Sequence, residues 1–142
     1  MINYEKQTYE QFLRSKIKIA PDKGIEFSIE DVHPALKPHQ KDSVLWALRG
    51  GQRALFSAFG LGKTVTQLEM LRLLLSREDG KALIVTPLNI VHVFQEDAAN
   101  LLDGLQVRYI KTQVEAESAE ERILITNYER VRDGDIRPDY FT

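Results

Sequence analysis

Cysteine is absent from the 142-residue sequence, which removes disulfides, thiolate zinc sites and thiol nucleophiles together. No run approaches the ~18 consecutive apolar residues of a membrane-spanning helix, and the opening MINYEKQTYEQF lacks the basic flank and apolar block of a signal peptide. The expected compartment is therefore the cytoplasm, with no membrane partner. Neither sign of charge is in large excess: the net charge is −2 and the pI is near 5.9, so composition supplies no electrostatic footprint for nucleic acid. His33, His39 and His92 have no metal-ligand spacing. What is present, 43% hydrophobic and 28% charged residues, is the balance of one soluble globular domain.

Along the chain a leader precedes one alternating unit. Residues 1–19 carry Tyr4, Tyr9, Phe12 and Leu13 among charges and read as a short helix ending in KIKI, broken by Pro21 and Gly24. IEFSI, from Ile25, alternates apolar and polar and predicts a short strand. From Pro38, Val44, Leu45 and Leu48 fall at helical spacing, with Gly50 and Gly51 as the stop. RALFSA is then a predicted strand, KTVTQLEMLRLLLS a helix, KALIVT a strand, NIVHVFQEDAANLL a helix, and LQVRYI and RILITN two further strands. Such alternation predicts crossover units: an α/β fold with a parallel sheet and crossover helices. The acidic stretch VEAESAEE reads as a solvated helix or loop, and Arg130, Arg132 and Arg137 are balanced by Asp133, Asp135 and Asp139.

The stretch FSAFGLGKTVTQ carries the chemistry. A phosphate site needs backbone N–H groups at the positive end of a helix, and glycines where a side chain would block the approach. Gly60 and Gly62 meet that need; Lys63 can reach the outer phosphates, and the Thr64 hydroxyl can face Mg²⁺. The strict pattern G-x-x-x-x-G-K-[ST] asks for glycine at position 57, where this chain has Ser57. A glycine-rich turn followed by a chance Lys-Thr is the alternative; the strand predicted before it and the helix after it favour the loop.

These residues resemble a known family. GLGKT followed by QLE, preceded by LKPHQKDSVLWAL, is similar to the first RecA-like domain of superfamily 2 helicases, most of all the Swi/Snf-type translocases, a family that relaxes the first glycine of the loop. LIVTPLNIVHVFQEDA resembles motif Ia and ILITNYERVRD resembles motif Ib, so the resemblance covers roughly residues 36–133. The leading 35 residues look like the leaders of phage and mobile-element DEAD/DEAH-like helicases. The resemblance implies ATP and Mg²⁺ as cofactors, Lys63 as a catalytic residue, and Phe59, Gly60, Leu61, Gly62, Lys63 and Thr64 along the nucleotide, with Thr64 as the metal ligand. Gln40, in PHQ, is implied as the adenine reader, since its amide can both donate and accept; an exposed glutamine on an amphipathic helix is the other reading. Trp46 fits core packing better than base stacking. DNA is the implied partner, through Thr86, Pro87, Thr126 and Asn127 at strand ends, where hydroxyl, amide and backbone groups position phosphates without reading bases. Asn89 fits a helix cap.

The resemblance also implies what else is needed. Splitting ATP requires an acidic motif II for Mg²⁺ and water, and an arginine finger from a second RecA-like domain. No strand here ends in Asp-Glu. The expected organisation is a leader over residues 1–35, helix and short strand, then an incomplete N-terminal RecA-like domain over 36–142 ending before motif II, the rest of the helicase core being its partner. The expected origin is a truncated or split gene. Two function classes follow: the ATP-binding front half of a DNA-dependent ATPase, or a nucleotide-binding or interaction module without turnover; a small P-loop kinase would make motifs Ia and Ib coincidence.

Overall fold

The computed structural model describes residues 8–11 and 21–141. Tyr4, Phe12, Leu13 and KIKI, on which the leader helix was expected, lie outside the described residues. Five α-helices and three strands alternate: α1 (Pro38–Gly50), α2 (Lys63–Arg77), β1 (Ala82–Thr86), α3 (Val91–Leu101), β2 (Val107–Tyr109), α4 (Gln113–Ser118), β3 (Ile123–Asn127) and α5 (Tyr128–Arg132). The strands pair in parallel in the order β1-β3-β2. Leu83 lies opposite Leu124 and Ile84 opposite Ile125. The α/β class with a parallel sheet and crossover helices is thus the observed one.

Side-chain direction along a strand has period two, and the sheet uses it to build two cores. Ile84, Ile123 and Ile125 pack with Leu68 and Leu73 of α2 and with Val91, Phe94 and Ala98 of α3. Leu124 turns the other way, onto Ile110, Ala116, Ala119 and Ile136, with Leu83 and Val131 beside them. β3 is buried along its whole length, as befits a central parallel strand covered on both faces. Burying one Leu or Ile in such a core contributes about 1.5–3 kcal/mol.

Helix ends follow local signals. Pro38 occupies the first turn of α1, and Gly51, at φ 78°, closes it with its N–H on Ala47 O. Thr112 caps α4 by accepting from Glu115 N, while Glu115 accepts from Lys111 N, so the acidic stretch opens on a reciprocal cap. It is only partly solvated: Ala116 and Ala119 are buried, and Lys81 Nζ donates to both of their carbonyls at 2.7 Å.

Two expected strands are not there. Residues 25–29 form no ladder; Ile25 N donates to Leu48 O, tying the segment across the end of α1, and a 3-10 turn follows at Ile29–Asp31. Phe27, Val32 and Leu36 nonetheless enter the same core as α2 and α3. Residues 53–58 also lack a ladder, although Arg53 and Leu55 are half-buried and Ala54 and Phe56 exposed, in strand-like alternation. The physical reason is common to both: a strand exists only where a neighbouring edge completes its hydrogen bonds, and no described strand lies beside either segment.

Candidate functional site

The glycine-rich segment leads into the longest described helix. Gly62 is the residue before α2, in left-handed conformation at φ 72° and ψ 43°, and no side chain caps the helix start. The first N–H groups of a 15-residue helix therefore point out of the protein with the positive end of its dipole behind them. Gly60 has φ 77° and nothing within 4 Å of where a Cβ would stand; at Gly62 a Cβ would lie 2.2 Å from Gln40 Nε2. Backbone conformation requires the first glycine, and the close approach of Gln40 as well as conformation requires the second.

Lys63 curls back into the loop. Its ammonium donates to Ser57 O at 2.8 Å and Ala58 O at 3.3 Å and stands 5.3 Å from the Phe59 ring centroid. Ser57 thus meets the lysine through its carbonyl, an atom that any residue at this position supplies. Phe59 is fully exposed and Leu61 partly so. Thr64 follows on the first turn, half-buried.

Gln40 is not an exposed surface residue: at 7% exposure it has both ends of its amide engaged. Its Oε1 accepts from Lys37 N at 2.8 Å and its Nε2 donates to Leu61 O at 3.1 Å, so it clasps the loop to the start of α1. Thr66 does a related job, donating to Gly62 O at 2.9 Å. Sequence reasoning missed it, although a threonine four residues beyond the last loop glycine is a signal for a back-bond to the i−4 carbonyl. Beside the loop, His39, Gln40, Ser43, Phe56, Lys63 and Gln67 line a recess of about 240 Å³. A larger cleft, about 390 Å³, lies across residues 53–55, against β1.

Trp46 corrects an expectation: it is half exposed, with the Arg53 guanidinium 5.5 Å from its ring centroid, because it lies off the face of α1 that carries Val44 and Leu48 into the core. Asn89 does not cap α3 either; it sits inside the exposed 3-10 turn Leu88–Ile90.

The strand-end residues divide. Thr86 and Asn127 are neighbours across the β1–β3 ladder, both nearly buried, and Pro87 beside them is exposed. Thr126 is fully buried and its hydroxyl donates to Ile110 O at 2.9 Å, which commits it to packing. Asn127 accepts from Tyr109 OH at 3.0 Å and donates to Glu129, and that amide holds the Glu129 carboxyl below the usual carboxylate range. Arg130 pairs with Asp135, Arg132 with Asp133, and Arg137 with Glu117.

Glu69 is the one acid inside α2, and it is fully buried. Arg72 grips it with two bonds of 2.7 Å, and His33 N donates to it at 2.8 Å. The hydrogen bond to Glu69 is the main cause that raises the Arg72 pKa above its ordinary value.

No family model matches the chain, and no curated protein does. Among solved structures it is similar to the UvsW helicase from bacteriophage T4, with a TM-score of 0.60 and 18% sequence identity over 91% of this chain and 46% of that one. At that identity the likeness is one of fold, and the chain spans about half the length of the helicase it matches. No helix among the described residues is long and apolar enough to cross a membrane.

Proposed function

We propose that this chain is the ATP-binding front half of a DNA-dependent ATPase, a helicase or DNA translocase of superfamily 2. One observation carries the reading: a loop with two left-handed glycines delivers a lysine ammonium to the open, uncapped start of a long helix. Backbone N–H groups from Gly60 to Thr64 bind the phosphates of ATP, and Lys63 exchanges the carbonyls of Ser57 and Ala58 for phosphate oxygens, a charge-assisted bond replacing a neutral one. Thr64 holds Mg²⁺, which neutralises charge on the outer phosphates when bound. The base lies in the recess beside Phe56 and Gln40; to read adenine, Gln40 turns its amide from Leu61 O to the base edge, and Phe59 and Leu61 close over the nucleotide.

DNA runs along the carboxyl ends of the strands, the side on which open α/β sheets bind ligands. Thr86, Pro87 and Asn127 touch its backbone there, Thr126 acting through its main chain. The remainder of the helicase core supplies motif II and the arginine finger, and the compartment is the cytoplasm. A second reading, a nucleotide-binding or interaction module without turnover, is favoured for the isolated chain by the engagement of Glu69 with Arg72 and of Glu129 with Asn127, which leaves neither carboxylate to organise an attacking water.

Calorimetric titration of MgADP tests the loop: Lys63→Ala is expected to weaken binding by about 2 kcal/mol or more, the range of a lost charge-assisted contact. Equal affinities would remove the phosphate-loop assignment. Phosphate release by the 142-residue chain, with or without DNA, is expected to match that of Lys63→Ala. An arginine finger alone is worth about 10³–10⁵ in rate, so turnover that depends on Lys63 would show that the chain completes its own site.

A further inference from the structure

The larger cleft has the form of a missing strand. Its one wall is the free edge of β1. Ala82 N donates to Arg122 O at 2.8 Å, and in a parallel ladder alternate residues direct both backbone groups to the same neighbour. Ala82, Ile84 and Thr86 therefore face β3, whereas Leu83 and Val85 turn their N–H and C=O groups into the cleft. The opposite wall is residues 53–55, the segment that alternates like a strand without a partner. The floor is the apolar flank of α2, Met70, Leu71 and Leu74. A second recess of about 500 Å³ shares Leu71, Leu74, Leu83 and Val85 and extends the groove past Ala82 to Pro138 and Phe141.

We propose that this groove seats a further β-strand, parallel to β1 and matching its five residues, contributed by the remainder of the ATPase core. The groove stands on the ladder geometry alone; the identity of the donor rests on the functional reading above. A strand here pairs on both sides, with Leu83 and Val85 and with residues 53–58, which removes four unpaired backbone groups from an apolar setting and brings the expected strand before the phosphate loop into the sheet. Its side chains are apolar on the α2 side, as for parallel strands covered on both faces. The direction follows from access: Pro138 and Phe141 flank the Ala82 end, so a chain passing them runs along β1 in the same sense. A second copy is not the occupant, because two identical edges related by a two-fold axis pair antiparallel and each carries its own walls of α2 and 138–141.

Amide hydrogen exchange on the complete chain reads this residue by residue. Alone, Leu83 and Val85 are expected to exchange about tenfold or more faster than Ile84 and Thr86, which are held by β3. The probe is a lysine-flanked peptide carrying Ile123–Asn127, the sequence that β1 already accepts in parallel on its other edge. In excess it should slow Leu83 and Val85 about tenfold without loosening Ile84. Val85→Pro deletes one outward N–H only, and should abolish the peptide effect while Ile84 and Thr86 stay protected. The proposal is overturned if Leu83 and Val85 are already protected in the monomer, if the peptide leaves them unchanged, or if its protection survives Val85→Pro. Protection that grows with chain concentration alone would make a second copy the occupant and overturn it equally. No nucleotide is present, so failure of the ATP reading leaves these outcomes untouched.

Discussion

The two ends of α2 are finished in opposite ways. At the C-terminal end, Arg122 reaches over from the residue before β3 and donates to Leu75 O, Glu78 O and Gly80 O, a cation and three hydrogen bonds placed on the negative end of the helix. At the N-terminal end no side chain caps the helix, and the nearest cation, Lys63, is turned onto carbonyls of its own loop. One end is closed by the protein itself. The other keeps its N–H groups and its ammonium for something outside the chain. The difference separates a residue that serves stability from one that serves binding, although both are exposed cations bonded to main-chain oxygens.

The widest break in this comparison comes from the middle of the same helix. Glu69→Ala leaves the Arg72 guanidinium without its buried partner and frees His33 N; removing one member of a buried pair costs about 3–5 kcal/mol. Urea denaturation should show the midpoint collapse, and a loss under 1 kcal/mol would mean that water reaches the pair. Arg122→Ala comes next. Its guanidinium is partly solvent-screened, so about 1–2 kcal/mol is expected for the three lost bonds, with MgADP affinity unchanged. Lys63→Ala should do the reverse, moving stability by no more than about 0.5 kcal/mol. If both substitutions shift stability alike, the contrast between the two ends dissolves.

The smallest effect sharpens the loop side. Gln40→Ala removes the clasp between Lys37 N and Leu61 O and should lower stability by about 1 kcal/mol. If the same amide reads adenine, the preference for ATP over GTP disappears with it. A stability loss with an unchanged ATP-to-GTP ratio in competition binding would make Gln40 a clasp alone.

Particular residues mark how far the sequence could be read. The start of α1 at Pro38, its stop at Gly51, the span of α2 and the crossover alternation were all legible, as was the pairing of Arg130 and Arg132 with the aspartates after them. Arg122 was not: its partners lie 42–47 residues away, and nothing near it in sequence signals a helix end. Trp46 and Thr126 were read from side-chain type, yet their roles came from position, one on the outer side of α1 and the other within a strand covered on both faces.

What the sequence determined by itself is what closes locally. A helix completes its hydrogen bonds within its own stretch, so spacing, a proline and a glycine suffice to place it; the left-handed glycines before Lys63 are likewise a property of a few consecutive residues. Only the tertiary structure decided which alternating segments became strands. RALFSA and IEFSI carry the same pattern as ALIVT and ILITN, but β1 and β3 found each other and residues 53–58 and 25–29 found no edge. A strand's hydrogen bonds belong to its neighbour, and the neighbour is chosen by the fold.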